Sequence, residues 1–203
     1  MYVPKHFIQN DNGKTGSLVE SYSFGLLVTV GSDGLPVASH IPFLSRADGG
    51  SLILEGHLAR PNAQSEHISR GLKALAVFRG PHTYISPTWY ETPGVPTWNY
   101  DAVHAYGRLQ EVTGERARSI VERLAAKFEG DGPDAWVPRY PEKMLSGIVC
   151  FVMTDVSLQS KSKMSQNRPA NDRRSVIEAL GRFDDQDSRD VRRIMLENES
   201  RDG

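Results

Sequence analysis

The sequence holds a single cysteine, Cys150, in 203 residues. That excludes an intrachain disulfide framework and any zinc site built from cysteines alone. A chain of this length buries enough surface to fold without such staples. Long apolar runs are also missing. The longest, Phe24–Val30, has seven residues, against the ~20 needed to span a bilayer. The opening Met1-Tyr2-Val3-Pro4-Lys5-His6 lacks the apolar stretch of a signal peptide, so a cytoplasmic location is expected. Neither sign of charge dominates: Lys plus Arg is 24 and Asp plus Glu is 25, a net charge of −1. The balance holds locally, with eight of each sign in residues 1–110 and ten of each in residues 155–203. Proteins that read DNA usually carry a positive stripe, because affinity comes largely from neutralising phosphates. Composition therefore gives direct DNA reading no support.

Several chemical motifs are missing as well. No G-x-G-x-x-G, H-E-x-x-H or G-x-S-x-G occurs, so a dinucleotide fold, a dedicated zinc centre and a hydrolase elbow are all unsupported. Gly13-Lys14-Thr15 looks like the end of a phosphate loop. The glycine required five positions earlier is Ile8, and no strand precedes it. Cys150 sits inside an apolar run, which suits a buried core thiol better than a reactive one.

What is present reads as short strands joined by turns. Phe24–Val30 is a buried strand, Gly31-Ser32-Asp33-Gly34 a turn, and Pro36–Phe43 the return of a hairpin. Ser45–Gly50 reads as a turn and Ser51–Gly56 as a third strand. Asn62–Arg70 is a short helix with Asn62 as its cap. Leu75–Phe78, Thr83–Ser86 and Ala102–Val112 read as the fourth, fifth and sixth strands, and Ile148–Met153 as a central one. Glu115–Phe128 repeats apolar residues at helical spacing, and Ser175–Leu180 and Val191–Leu196 are amphipathic. Closely spaced strands with few helices between them favour an antiparallel sheet or small barrel over a doubly wound fold.

Four segments suggest chemistry. Ser39-His40-Ile41-Pro42-Phe43 puts a serine and a histidine in a strand that meets a proline, which marks an edge or bulge. Gly56-His57-Leu58-Ala59-Arg60-Pro61-Asn62 leads from a strand into a helix. It fits a phosphate cradle or a capped surface turn equally well. Tyr84, Trp89, Tyr90, Trp98 and Tyr100 cluster around Pro81, Pro87, Pro93 and Pro96. Flat rings with polar handles suit a planar ligand or a subunit interface. Lys161-Ser162-Lys163-Met164-Ser165-Gln166-Asn167-Arg168 follows a strand with three cations. Cations, amides and planar rings together match a phosphorylated aromatic cofactor such as FMN.

On these blocks, with Met1-Tyr2-Val3-Pro4, Val95-Pro96-Thr97-Trp98-Asn99-Tyr100 and Val103-His104-Ala105-Tyr106-Gly107, the chain resembles the PaiB-type FMN-binding transcriptional regulators. These are a branch of the split-barrel flavoproteins that includes pyridoxamine phosphate oxidase. The resemblance implies an α+β fold built on a six-stranded antiparallel split barrel. It places the barrel in residues 1–170, with an inserted helix at about 114–129, and a helical tail at 171–203. It implies a homodimer with FMN at the interface. Arg60 and Asn62 would hold the phosphate, Ser39 and His40 would follow the ring edge, and His57 would belong to the same site. Trp98 and Asn99 would reach in from the rim, and Lys163, Gln166 and Arg168 would close the site. The chain departs from the family pattern at Pro61-Asn62-Ala63-Gln64-Ser65, where Asn-Pro and an aromatic are expected.

Three functions follow as expectations. The first is a negative regulator or a flavin or small-molecule sensor. Direct DNA reading is doubtful for it, because Asp187–Asn198 balances three arginines against Asp187, Asp190 and Glu197. The second is an FMN-dependent oxidoreductase, in which the flavin supplies its own redox chemistry. The third is a haem-binding split barrel with a histidine as axial ligand.

Overall fold

The computed structural model describes residues 1–48, 51–130 and 132–202. Seven antiparallel strands form one sheet in the order β2-β1-β5-β6-β7-β4-β3. They are β1 (Phe24–Val30), β2 (Pro36–Pro42), β3 (Leu44–Asp48), β4 (Ser51–Ala59), β5 (Lys73–Ile85), β6 (Thr97–Val112) and β7 (Ile148–Lys163). The helices are α1 (Asn12–Ser21), α2 (Gln64–Ser69), α3 (Gly114–Glu129), α4 (Glu142–Leu145), α5 (Ala170–Leu180) and α6 (Gln186–Asp202).

The strand beyond the six expected is β3, which occupies most of the predicted turn. It pairs with β4 from Leu44↔Glu55 to Asp48↔Ser51. Its polar residues disguised it. An edge strand is paired on one side only, and charges there deter unwanted partners. Gly49 and Gly50, the end of that predicted turn, lie outside the described residues. The predicted fourth and fifth strands are one strand, β5. Gly80 and Pro81 are buried in succession, so the alternation changes phase there without ending the strand.

The chain divides into two compact units. One comprises residues 16–78 and 104–158, the other residues 1–15, 79–103 and 159–203. In the first of these, the inner core is aromatic. Phe43 meets Phe78 at 5.2 Å and Phe151 at 6.2 Å, both edge-on. Gly107 is glycine for want of space, since a Cβ would sit 2.6 Å from the Thr154 carbonyl oxygen. The opposite face of β4 and β7 is covered by α3, whose Ile120, Val121 and Leu124 pack with Cys150 and Val152. Buried Glu55 ties α3 down through Arg123, with Nη2 to Oε2 at 2.6 Å.

In the second unit, α5 and α6 pack Val176, Ile177, Leu180, Val191 and Met195 around Ile85 and Met164. Asp172 on α5 is fully buried. It accepts hydrogen bonds from the Glu91 and Thr92 amides and from the Thr92 hydroxyl, at 2.9, 3.0 and 2.6 Å. The proline-rich loop before β6 is thereby fastened to α5. These three bonds hold the Asp172 carboxyl below the usual carboxylate range, the Thr92 hydroxyl contributing most.

Candidate functional site

The sequence-predicted residues fall into both units, and each group has its own local structure. In the unit of residues 16–78 and 104–158, Ser39 lies on the edge strand β2 and Asn62 in the turn before α2. Their side chains meet, the Asn62 amide donating to Ser39 Oγ at 2.9 Å. The Asn62 carbonyl oxygen accepts from the Gln64 amide at 2.9 Å. Asn62 thus closes the turn that leads into α2, whose first residue is Gln64.

A buried polar chain continues inward. Gln64 Nε2 lies 2.9 Å from Thr29 Oγ1 and 3.1 Å from each of the Leu27 and Val37 carbonyl oxygens. Thr29 Oγ1 in turn meets His67 Nδ1 at 2.7 Å. Gln64 Oε1 is buried without a partner. The sequence marked Gln64 only as part of the departure from the family pattern, and no pattern marked Thr29 or His67. The available clue was a glutamine, a serine and a histidine in a short helix that needed only one polar face.

The other three residues of this group point elsewhere. His40 is exposed on β2 and stacks on Phe24, with ring centroids 6.2 Å apart. Arg60 grips the segment before β7. Its Nε donates to the Ser146 carbonyl and its Nη2 to the Ile148 carbonyl, both at 2.7 Å. His57 lies on the face of β4 turned toward α3, in a separate cavity of about 360 Å³.

In the unit of residues 1–15, 79–103 and 159–203, Asn99, Gln166 and Arg168 are held by the chain itself. Asn99 is fully buried and exchanges hydrogen bonds with the Ser165 hydroxyl at 3.0 and 3.2 Å. Gln166 accepts from the Met164 amide at 2.6 Å and donates to the Ser162 carbonyl at 2.7 Å. The Arg168 guanidinium lies 3.9 Å over the Tyr90 ring and 3.3 Å from Asp172 Oδ2. The last contact is ionic, because its angle does not suit a hydrogen bond and Nε has no partner by that measure.

Trp98 and Lys163 are placed differently. Trp98 is 52% exposed and stacks on His82 at 6.2 Å, with Tyr84 edge-on at 6.1 Å. Lys163 donates to Thr97 Oγ1 and, at 2.6 Å, to the Trp98 carbonyl. Two residues back on β7, buried Lys161 donates to the Tyr2 carbonyl at 3.3 Å and sits 5.0 Å over the Tyr100 ring. Both ammonium groups also lie within 6 Å of the Phe7 ring, at 5.9 and 5.8 Å. Among the described residues, neither lysine has a carboxylate partner. Burial, with the neighbouring Lys161 charge, pushes the Lys163 ammonium below its usual range. Two partly buried cations of like sign without a counter-ion are costly. An anion would relieve that cost, and Trp98, whose backbone carbonyl Lys163 holds, offers its half-exposed indole as a stacking surface. This donor set fits a phosphorylated planar cofactor.

The fold matches those of two solved flavoproteins. The FAD and heme binding protein of Mycobacterium smegmatis superposes with a TM-score of 0.64 at 15% identity, over 82% of this chain and 78% of that one. The flavocytochrome of Azotobacter vinelandii gives 0.61 at 12% identity, over 80% and 72%. The architecture is therefore the antiparallel split barrel of the flavoproteins. Residues 1–154 match the family described as "Putative FMN-binding domain". "Protease synthase and sporulation protein PAI 2" of Bacillus subtilis is 33% identical over 200 residues, 96% of each chain. An uncharacterised protein of Saccharomyces cerevisiae is 36% identical over 129 residues, 53% of this chain and 76% of its own. The chain belongs to the PaiB-type FMN-binding family, and its cofactor is FMN.

Proposed function

We propose that the chain works as a homodimer that holds FMN and serves as a flavin- or ligand-sensing negative regulator of gene expression. Lys161 and Lys163 carry this reading: two neighbouring ammonium groups with no carboxylate partner among the described residues suit a phosphorylated group, and the half-exposed Trp98 ring suits a planar one. In this reading Lys163 and Trp98 face the cofactor. Asn99, Gln166 and Arg168 hold the loops that present them. When bound, FMN would supply hydride or single-electron transfer.

The outer face of the β1–β2 hairpin supports the dimer. Register puts Phe24 opposite Pro42, Leu26 opposite His40, Val28 opposite Ala38 and Val30 opposite Pro36 on that face. His40 is the one polar member, and Phe24 and Val30 are largely exposed. An apolar sheet face of this kind suits burial against a second copy. The barrel would then comprise residues 1–170 and the tail residues 171–203, in the cytoplasm. The regulatory part draws on the likeness to the PaiB-type regulators and on the Bacillus relative, a "Protease synthase and sporulation protein". Regulation would pass through a partner or small molecule, because Arg189, Arg192 and Arg193 of α6 are engaged within the helical pair. Arg192 donates to the Ile177 carbonyl, and Arg193 pairs with Asp190 and Glu197.

One observation favours an FMN-dependent oxidoreductase as the second reading. Asp101 on β6 is pushed up to about 6 by burial, the Ser162 hydroxyl opposing. It could exchange a proton near neutrality. The deciding experiment is an absorbance spectrum of freshly purified protein, then fluorescence of the supernatant after denaturation. Flavin bands with about one FMN released per chain are expected. A colourless protein that takes up no added FMN would overturn the reading. Oxidation of reduced nicotinamide above the free-flavin background would favour the enzyme.

A further inference from the structure

Lys161 and Lys163 differ in a way that bears on reactivity as well as on binding. Trp98 and Tyr100, two apart on β6, project from the same face of the sheet. Lys161 sits over the Tyr100 ring at 5.0 Å, and both lysines approach the Phe7 ring. Lys163, Tyr100 and Trp98 therefore share one face. The other titratable groups there are His82 and Tyr84, whose rings meet Trp98. Asp187 meets His82 Nδ1 at 3.3 Å, and Lys5 and His6 of the N-terminal segment are exposed.

The surroundings of the two amines are unlike. Lys161 is buried between the Tyr100 and Phe7 rings, at 5.0 and 5.9 Å, with the Tyr2 carbonyl as its acceptor. Ring faces favour the cation. Lys163 is half-buried, and its Nζ donates to two oxygens, the Thr97 hydroxyl and the Trp98 carbonyl. A neutral amine has two hydrogens, so both acceptors stay satisfied when the third proton leaves. Neither lysine is paired with a carboxylate among the described residues, and like charges side by side disfavour one another. A bound anion settles that repulsion; loss of one proton settles it too. Lys163 sheds its proton the more readily, because burial and then the Lys161 charge push its ammonium below the usual range. A desolvated lysine beside a second cation is an activated nucleophile.

We propose that Lys163, when its face is open, captures planar aromatic aldehydes as a reversible imine. The Nζ lone pair attacks the carbonyl carbon, and the carbonyl π pair moves to oxygen. A proton passes from nitrogen to that oxygen. The carbinolamine then loses water to leave the C=N bond, with no oxidant or other reactant consumed. An aryl group carried on Nζ lies within reach of the half-exposed Trp98 indole, since Nζ is 2.6 Å from the carbonyl of the same residue. Reversible capture suits a sensor. That role rests on the function proposed above, whereas the imine does not.

The test uses the full-length protein as purified, and again after dialysis that removes any bound flavin. Each sample is incubated with benzaldehyde and cyanoborohydride, which reduces an imine to a stable amine, and peptide mass spectrometry locates the product. Lys163 should be modified about tenfold or more faster than exposed Lys5, Lys73 and Lys143. Its reaction should reach half its limiting rate at a lower pH than that of Nα-acetyl-lysine. Lys161→Met should raise that pH, and Lys161→Arg, which keeps the charge, should not. Cyclohexanecarbaldehyde, similar in size but puckered, should show no such preference for Lys163. Should Lys161→Met fail to fold, the rate and aldehyde preference of the parent still decide. Modification of Lys163 no faster than of the exposed lysines in both samples, a half-rate pH equal to that of Nα-acetyl-lysine, or equal preference for the two aldehydes would each overturn the proposal. Flavin released from the purified sample judges the FMN reading separately, because imine capture is read on flavin-free protein either way.

Discussion

Replacing Gln64 with leucine tests whether the buried polar chain behind Ser39 and Asn62 is a scaffold. Gln64 is fully buried, and its Nε2 lies near three acceptors on β1 and β2. An amide nitrogen has two hydrogens, so two of those contacts are full hydrogen bonds at any moment. Leucine removes both, at about 1–3 kcal/mol for each buried group left unpaired. It also removes Oε1, which has no partner in the native chain, and that returns about 1–3 kcal/mol. The volume change is small, so no large cavity term is added. The net loss is about 2 kcal/mol, and at about 2–4 °C per kcal/mol for this size the midpoint of thermal unfolding falls by about 4–8 °C. Thr29→Val interrupts the same chain from the other side. The double variant should therefore lose less than the sum of the singles, by about 0.5 kcal/mol or more. Differential scanning fluorimetry on the four proteins reads both quantities. An unchanged midpoint in Gln64→Leu, or strict additivity with Thr29→Val, would show that the amide does not hold β1, β2 and α2 together.

Other residues give outcomes that are as easily read. Gly94→Ala should destabilise the chain by about 1–3 kcal/mol, because a Cβ there would lie 2.2 Å from Arg168 Nη2 and 2.4 Å from the Tyr90 ring; chemical denaturation measures it. Asp101 holds its proton up to about 6 in the folded chain but only to about 4 when unfolded. Stability is thus complete below about pH 4, declines as the pH rises to about 6 and is level above. Asp101→Asn should abolish that decline and be the more stable protein at pH 8, as urea titrations at several pH values would show. Burial pushes the Cys150 thiol up to about 11, against a smaller opposing effect of Arg60; a disulfide reagent at pH 8 should label it only after denaturant is added. Lys163→Met should weaken FMN binding with little change in thermal midpoint, whereas Asn62→Ala should lower both, since it removes the bonds to the Ser39 hydroxyl and the Gln64 amide that hold the turn before α2.

Periodicity was a good guide wherever a strand or helix buried one face cleanly. Phe24–Val30 was readable as a strand from its short apolar run, although only Gly25, Leu27 and Thr29 are buried, and the apolar stripe of α3 was readable because Ile120, Val121 and Leu124 recur at helical spacing. It failed where the pattern was diluted. α1 contains Gly13, Gly16 and Ser17, weak helix formers, and only Thr15 and Val19 are buried. Its start was nevertheless marked, because Asp11 Oδ1 accepts from the Lys14 amide at 3.1 Å in the manner of a cap. The Gly-Lys-Thr triplet therefore lies on a helix and not in a phosphate loop. β7 runs ten residues past its predicted end at Met153, to Lys163. Its distal half alternates polar residues whose burial depends on tertiary neighbours that no local window contains.

The candidate site divides along the same line. A run such as Ser165-Gln166-Asn167-Arg168 announces polar chemistry but not its direction. Gln166 spends both ends of its amide on backbone groups within four residues of itself. Ser165 sits at φ +64°, a conformation that few non-glycine residues adopt, and its hydroxyl is matched to Asn99. These contacts lock the turn that follows Lys163. Lys163 and Lys161, by contrast, keep charges that nothing in the described chain neutralises. A ligand site needs both kinds of residue: groups that bind, and groups that fix their geometry before the ligand arrives. In sequence the two look alike, since both are polar side chains interleaved in the one run 161–168. They separate only when each donor and acceptor is assigned a partner, and the atoms left over mark where a ligand has work to do.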